Sequence, residues 1–261
     1  MSMKSTEIHP TAVIHDGAQL GAGVKVGAYS IVGPQVKLGD GTEVMPHVFL
    51  DGNTQFGSEC VIYPFASIGT RTQDLKFHGG NPGVIIGDRT TLREYVTVNA
   101  ATYDGDFTRV GSDCLIMAYA HVAHDCIVGN EVIIANACAL AGHLVIEDQV
   151  IIGGLSGIHQ FVRLGRMCII GGCSKVTQDV PPFMMADGHP LKVRSINSVG
   201  LKRRGVSDDA QRQIKAAFRM LYRKPLTTRQ AVEAIEKEVE QVPEVVQLLQ
   251  FVKSSERGIT K

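Results

Sequence analysis

The stretch VGSDCLIMAYAHVAHDCIVGNEVIIANACALAGHLVI, residues 110–146, sets a bulky aliphatic side chain on every sixth position: Val110, Ile116, Val122, Val128, Ile134, Leu140 and Ile146. A spacing of six matches neither the 3.6-residue period of a helix nor the two-residue alternation of a strand. It marks a solenoid whose unit is one short strand plus a turn. Outward from this stretch, the count runs on through Ile152, Ile158, Leu164 and Ile170 to Val176. Backward it reaches Ile8 and fails only at Asp74, Gly80 and Asp104.

The fourth residue after each of these positions is usually small, among them Ala12, Ser30, Thr42, Ala66, Thr90, Ala120, Ser156 and Ser174, with Leu144 the bulky exception. A narrow coil admits only a small side chain at its second inward position, so three hexads close one triangular coil. Parallel strands stack about 4.8 Å apart, which makes roughly nine to ten coils and a prism about 45 Å long. Cys60, Cys114, Cys126, Cys138 and Cys168 all occupy the small inward slot, leaving only Cys173 elsewhere. They therefore read as small buried hydrophobes rather than as a disulfide framework or a metal set.

Lysine plus arginine balances aspartate plus glutamate, giving a formal net charge of +0, and no apolar run is long enough to span a bilayer. The opening MSMKSTEIHP lacks the apolar core of a signal peptide, so the expected location is the cytoplasm. The register breaks at 74–85 and 104–109, which are expected to be loops extruded from the prism, and loops on a rigid scaffold carry function. Gln73, Asp74, Lys76 and His78 stand at the first, ahead of a Gly79-Gly80-Asn81-Pro82-Gly83 turn.

Pro181-Pro182 ends the repeat, dividing the chain into a β-helical domain, 1–180, and a helical C-terminal domain, 181–261. Ser207, Thr227 or Thr228, and Pro243 are the expected helix starts. From Pro190 to Arg229, eleven Lys or Arg stand against Asp208 and Asp209, a basic segment suited to an anionic partner. No nucleic-acid motif accompanies it, so a phosphorylated ligand or an acidic carrier protein fits better.

The histidines mark the chemistry. In an eighteen-residue coil, His121, His124, His143 and His159 fall on one edge of the prism, within five columns and three adjacent coils. Two chemistries use such a cluster. Three imidazoles could hold a catalytic zinc with an open fourth position, as in the carbonic anhydrases built on this fold. Alternatively, one neutral imidazole acts as general base for an acceptor hydroxyl, and the pair His124-Asp125 suits this, since a carboxylate orients the ring and stabilises its protonated form.

Gln73-Asp74-Leu75-Lys76, His121-Val122-Ala123-His124-Asp125-Cys126, Leu140-Ala141-Gly142-His143, Gly153-Gly154-Leu155-Ser156 through His159-Gln160-Phe161, and Gly200-Leu201-Lys202-Arg203-Arg204-Gly205 resemble the UDP-N-acetylglucosamine O-acyltransferase family of lipid A biosynthesis. The likeness covers essentially the whole chain. It implies a mainly β fold, a left-handed parallel β-helix followed by an α-helical C-terminal domain. It also implies transfer of a 3-hydroxyacyl group from acyl carrier protein to the glucosamine 3-hydroxyl of UDP-N-acetylglucosamine, in a homotrimer whose active sites lie between subunits. No metal or cofactor is implied beyond the phosphopantetheine thioester of the carrier.

By the same resemblance, His124 is the base, Asp125 its orienting partner, and the Gly142 N–H the oxyanion donor. Gln73, Asp74, Lys76, His121, His143, His159 and Gln160 position sugar nucleotide or prosthetic arm. Asn197, Arg203 and Arg204 correspond to residues that reach the site or the diphosphate from the adjacent chain. Gly172 corresponds to the position that sets acyl length. Another hexapeptide acyltransferase, or a zinc carbonic anhydrase of this fold, is the alternative.

Overall fold

The computed structural model describes residues 5–261; residues 1–4, part of the stretch read above for a signal sequence, lie outside the described residues. The chain winds as a left-handed parallel β-helix. Two-residue strands alternate with four-residue turns and stack into three sheets of eleven, nine and eight strands. The first face runs from Glu7–Ile8 to Ile169–Ile170, the second from Val13–Ile14 to Lys175–Val176, and the third from Gln19–Leu20 to Arg163–Leu164.

Burial explains the period. From Val26 to Val176 every in-register apolar position is 5% exposed or less, each side chain contributing about 1.5–3 kcal/mol on leaving water. The small inward slots satisfy their own polar atoms: the Ser30 hydroxyl donates to the Met45 carbonyl at 2.7 Å and that of Thr90 to Gly111 at 2.7 Å. The cysteines there are buried free thiols. Burial pushes Cys60 and Cys114 up to about 11 and Cys126 up to about 12, so they stay protonated and inert. The third residue after each inward aliphatic commonly takes the left-handed backbone region, Asp125 (φ 60°), His143 (φ 60°) and Phe161 (φ 64°) among them. Those three therefore line up on successive coils of one edge.

Both extruded loops differ from their expected bounds. Gly83–Ile86 pairs with Asn53–Phe56, thirty residues back instead of eighteen, so the first insertion lies between Thr70 and Gly83 rather than at 74–85. Val84 and Ile86 resume the core. The second lies between Asn99 and Phe107, not at 104–109, because Phe107–Val110 pairs with Gly83–Ile86 along its whole length. An extended segment that can pair its backbone does so, whatever the six-residue count says of its side chains.

The sheet also outlasts the repeat. Beyond Pro181-Pro182, Met184–Asp187 adds to the first face in parallel and Lys192–Ile196 pairs back on it antiparallel. Helical structure begins only at α1 (Ser198–Arg203), followed by α2 (Asp208–Tyr222), α3 (Thr228–Glu238) and α4 (Pro243–Lys253). The caps follow from sequence: Ser207 accepts from the Ala210 N–H, Thr227 forms a capping box with Gln230, and Pro243 opens α4. No helix among the described residues is long and apolar enough to cross a membrane.

Candidate active site

The edge between the second and third faces carries the site. His121–Val122 turns through Ala123-His124-Asp125-Cys126; one coil on, Ala139–Leu140 turns through Ala141-Gly142-His143; two coils on, Gly157–Ile158 leads into His159-Gln160-Phe161. Backbone bonds lock these turns together, the His143 N–H donating to the His124 carbonyl and the Phe161 N–H to that of Gly142. Phe161 stacks on His143 with ring centroids 4.7 Å apart, and His143 meets His124 edge-on at 5.2 Å.

At the centre, His124 Nδ1 lies 2.7 Å from Asp125 Oδ2. Thr102, which hexad counting could not place because it sits inside the second insertion, holds the pair. Its hydroxyl donates to Asp125 Oδ2 at 2.7 Å and its N–H to Oδ1 at 3.0 Å. The Asp125 N–H donates in turn to the Thr108 hydroxyl. Burial alone raises the Asp125 carboxyl, but the bonds from His124 and Thr102, with His143 nearby, outweigh it and leave it below its ordinary value. Asp125 is thus ionised at neutral pH, and its bond to Nδ1 selects the tautomer that leaves Nε2 facing the groove.

Gly142 sits under this imidazole. A Cβ there would run into His124, meeting Nε2 at 2.7 Å and Cε1 closer still. On a different edge of the prism, between the third and first faces, the N–H at this place in the turn is capped by a side chain, as Asn130 is capped by Asp148. The Gly142 N–H has no such acceptor among the described residues. It is available beside the ring.

His121 faces the same groove with Nδ1 2.7 Å from the Thr97 hydroxyl, and burial, reinforced by His124, lowers its pKa. Gln73, Gly142, His159, Gln160, Lys175 and Thr177 complete the groove wall. The first loop brings Asp74 over the histidines. The Lys76 N–H bonds its carboxylate and, with the cations nearby, holds it below its usual range, while Lys76 Nζ stands 3.8 Å away. Asn81 ties that loop to the second through Asp104.

Three imidazoles do not converge. The compact ligand set among the described residues is Asp74, His124 and His143, two imidazoles and a carboxylate. His143 Nε2 already lies 3.5 Å from Asp125, and His121 is engaged by Thr97.

The C-terminal candidates are not brought to the histidines within this chain. Asn197 is buried as the N-cap of α1, its Oδ1 accepting from Gly200 and its Nδ2 donating to Met167. Arg204 pairs with Glu131 on the edge between the third and first faces, and Arg203 is exposed beside it. Gly172 lies on the remaining edge, exposed, where a Cβ would find only the Gly154 carbonyl at 3.3 Å. Of the basic segment, Arg194, Arg204, Arg212, Lys224 and Arg229 have carboxylate partners. Lys192, Lys202, Arg203, Lys215, Arg219 and Arg223 have none within 4.0 Å among the described residues. The free positive charge is smaller than composition suggested.

Known proteins match along the chain. Residues 179–260 fit the model of the family described as Udp N-acetylglucosamine O-acyltransferase, Domain 2, and residues 107–142 fit that of the bacterial transferase hexapeptide. The acyl-[acyl-carrier-protein]–UDP-N-acetylglucosamine O-acyltransferase of Thermodesulfovibrio yellowstonii is 47% identical over 98% of this chain and 99% of its own length. The Acinetobacter baumannii LpxA structure superposes with a TM-score of 0.94 at 40% identity, covering 97% of this chain and 99% of that one. The Bacteroides fragilis LpxA, a UDP-N-acetylglucosamine acyltransferase, superposes with a TM-score of 0.94 at 36% identity over the same shares.

Proposed function

The chain belongs to the acyl-[acyl-carrier-protein]–UDP-N-acetylglucosamine O-acyltransferases, and on that footing we propose that it moves a 3-hydroxyacyl group from acyl carrier protein to the glucosamine 3-hydroxyl of UDP-N-acetylglucosamine, the first step of lipid A biosynthesis. The observation that carries the assignment of roles is the chain Thr102–Asp125–His124, ending at an imidazole that overhangs Gly142. Nε2 of His124 takes the proton of the 3-hydroxyl as its oxygen bonds the thioester carbonyl. Asp125 stabilises the imidazolium, and the Gly142 N–H donates to the oxyanion. Collapse breaks the C–S bond, and the imidazolium returns its proton to the leaving thiolate.

Asp74, Lys76, His121, His143, His159, Gln160 and Gln73 hold the two substrates in the groove. Arg203 and Arg204 are assigned to the diphosphate of a site on a neighbouring subunit of a trimer, through the forked donors of guanidinium. For Asn197 the cap it forms favours a supporting role, setting the course of the backbone through α1. The enzyme is assigned to the cytoplasm. Mass analysis of the product formed from UDP-N-acetylglucosamine and mixed 3-hydroxyacyl carrier thioesters tests the reaction; recovery of unmodified sugar nucleotide with every donor would overturn it.

No resident metal is assigned, because the hydrogen-bonded His124–Asp125 pair and the sugar-nucleotide reading of the groove account for the cluster without one. Purified enzyme should therefore carry no stoichiometric metal and keep full turnover after exhaustive chelation. Stoichiometric zinc whose removal abolishes turnover would favour the carbonic anhydrase alternative.

The unpaired cations Lys192, Lys202, Lys215 and Arg219 suit an acidic carrier. The Michaelis constant for acyl carrier protein should rise steeply between low and physiological salt, where the screening length falls to about 8 Å. A salt-independent constant would remove the docking role.

Gly172 offers no side chain to a long acyl group. Gly172→Met, whose Cβ would press on the Gly154 carbonyl at 3.3 Å on an otherwise exposed edge, should shift preference several methylenes shorter while sparing a short donor. Each methylene discriminates by about 1–3 kcal/mol, so competition assays should show a graded preference. An equal loss at every length would make Gly172 a packing residue.

A further inference from the structure

Past α4 the chain doubles back onto the last coil. Asp179 fixes it there: its N–H donates to the Gly258 carbonyl, its own carbonyl accepts from Thr260, and its carboxylate accepts from the Ser255 hydroxyl at 2.7 Å. Arg163 adds a bond to the Ser254 carbonyl and lies over the Phe251 ring. Between these anchors Arg257 is left exposed and points at the wall of the catalytic groove. One Nη stands 3.4 Å from His159 Nδ1 and 3.4 Å from the Thr177 carbonyl. It has no carboxylate within 4.0 Å among the described residues, and neither has exposed Lys175, which lines the same groove. A guanidinium pinned by backbone, aimed into a groove and left without a counter-ion is a ready anion anchor.

Its height along the prism selects the anion. Lys175 lies three strands beyond His121 on the second face, through Ala139 and Gly157. Thr177 stands in the same relation to Ala123, the residue beside His124. Three strand spacings are about 14 Å. In a phosphopantetheine thioester about thirteen bonds separate sulfur from phosphorus, and an extended chain covering about 3.5 Å per three bonds spans about 15 Å. With its thioester at His124 and its arm laid along the groove, the donor puts its phosphodiester at the level of Arg257.

We propose that Arg257, supported by Lys175, is a positioning residue that binds the phosphate of the donor's phosphopantetheine arm. This rests on the reading above that a carrier thioester is the donor. The arm is then held at both ends, thioester beside His124 and phosphate at Arg257, which lowers the entropic cost of bringing a flexible chain to the reacting atoms.

The test compares two donors that differ only in the phosphate, 3-hydroxyacyl-phosphopantetheine and 3-hydroxyacyl-pantetheine. The unmodified enzyme should use the phosphorylated donor about 10-fold to 100-fold better in kcat/KM, the range expected of a charge-assisted hydrogen bond. Arg257→Ala should bring that ratio close to one through KM of the phosphorylated donor, leaving the rate with acyl-pantetheine and the KM of UDP-N-acetylglucosamine unchanged. Arg257→Lys should recover part of the ratio. An unchanged ratio in Arg257→Ala overturns the proposal, and a raised KM for the sugar nucleotide alone reassigns Arg257 to the acceptor's diphosphate. Should Arg257→Ala not fold, equal inhibition of the unmodified enzyme by phosphopantetheine and pantetheine overturns it as well. Failure of both donors and of the acylated carrier in the unmodified enzyme sinks the donor reading itself, a result distinct from a ratio of one between two active donors.

Discussion

Turnover in His124→Ala is expected to fall about 10²–10⁴-fold or more while the prism keeps its melting behaviour. The fold should tolerate the change because His124 contributes nothing to the apolar interior, whose neighbours in the turn are Val122 and Cys126, both buried. What is lost is, among the described residues, the one imidazole whose Nδ1 is held by an ionised carboxylate at 2.7 Å. His143 cannot replace it, being 3.5 Å from the same oxygen and stacked on Phe161. Turnover should be measured under single-turnover conditions with saturating sugar nucleotide, so that the chemical step is read rather than product release. Near-normal chemistry in a folded His124→Ala would remove the base assignment.

The β-helix could be read from sequence because a narrow triangular coil enforces its period physically. Every inward aliphatic from Val26 onward is buried, and the slot four residues later holds Ala, Ser, Thr, Cys or Val, with Leu144 the one bulkier side chain. The insertions were legible as a loss of count but not as positions. A hexad count records side chains, whereas Gly83–Ile86 is placed by the backbone bonds it makes to Asn53–Phe56. The strands after Pro181-Pro182 carry neither the six-residue count nor a clean alternation, and they exist because the first face offers an open edge for Met184–Asp187 to cover.

The site shows the same division. His121, His124, His143 and His159 fall together by arithmetic, since all four lie after the second insertion, where eighteen residues make every coil. Thr97 and Thr102 lie before or within it and were missed. With its residues subtracted, Thr97 would have appeared directly beneath His121, as the register shows. Thr102 had no such signal. Only folding of the second loop places its hydroxyl and N–H on Asp125. Arg257 was hidden for a related reason, its position being set by the pairing of Asp179 with the tail and not by any repeat.

Gly142→Ala should be nearly as damaging as loss of the base, although it adds a single methyl group. The backbone at this position is not in the left-handed region, so alanine is conformationally acceptable and the protein should fold. The methyl, however, would occupy space held by the His124 ring, with Nε2 at 2.7 Å and Cε1 nearer. Backbone bonds through His143 and Phe161 hold the turn, so the ring must give way. Moving it breaks the alignment with Asp125 and Thr102 and shifts Nε2 away from the acceptor hydroxyl. A displacement of about 1 Å at a reacting group costs about 10²-fold, and crowding beside the Gly142 N–H weakens the oxyanion contact as well. A fall of about 10²-fold to 10³-fold in kcat, with a smaller change in KM for either substrate, is the expected result. Spectroscopy gives an independent readout: the hydrogen-bonded Nδ1 proton of His124 should shift or broaden in proton NMR of Gly142→Ala and stay in place in variants of the outer groove such as Lys175→Ala. Full activity with an unshifted resonance would mean that the ring has room to spare, and that glycine is not required at this position.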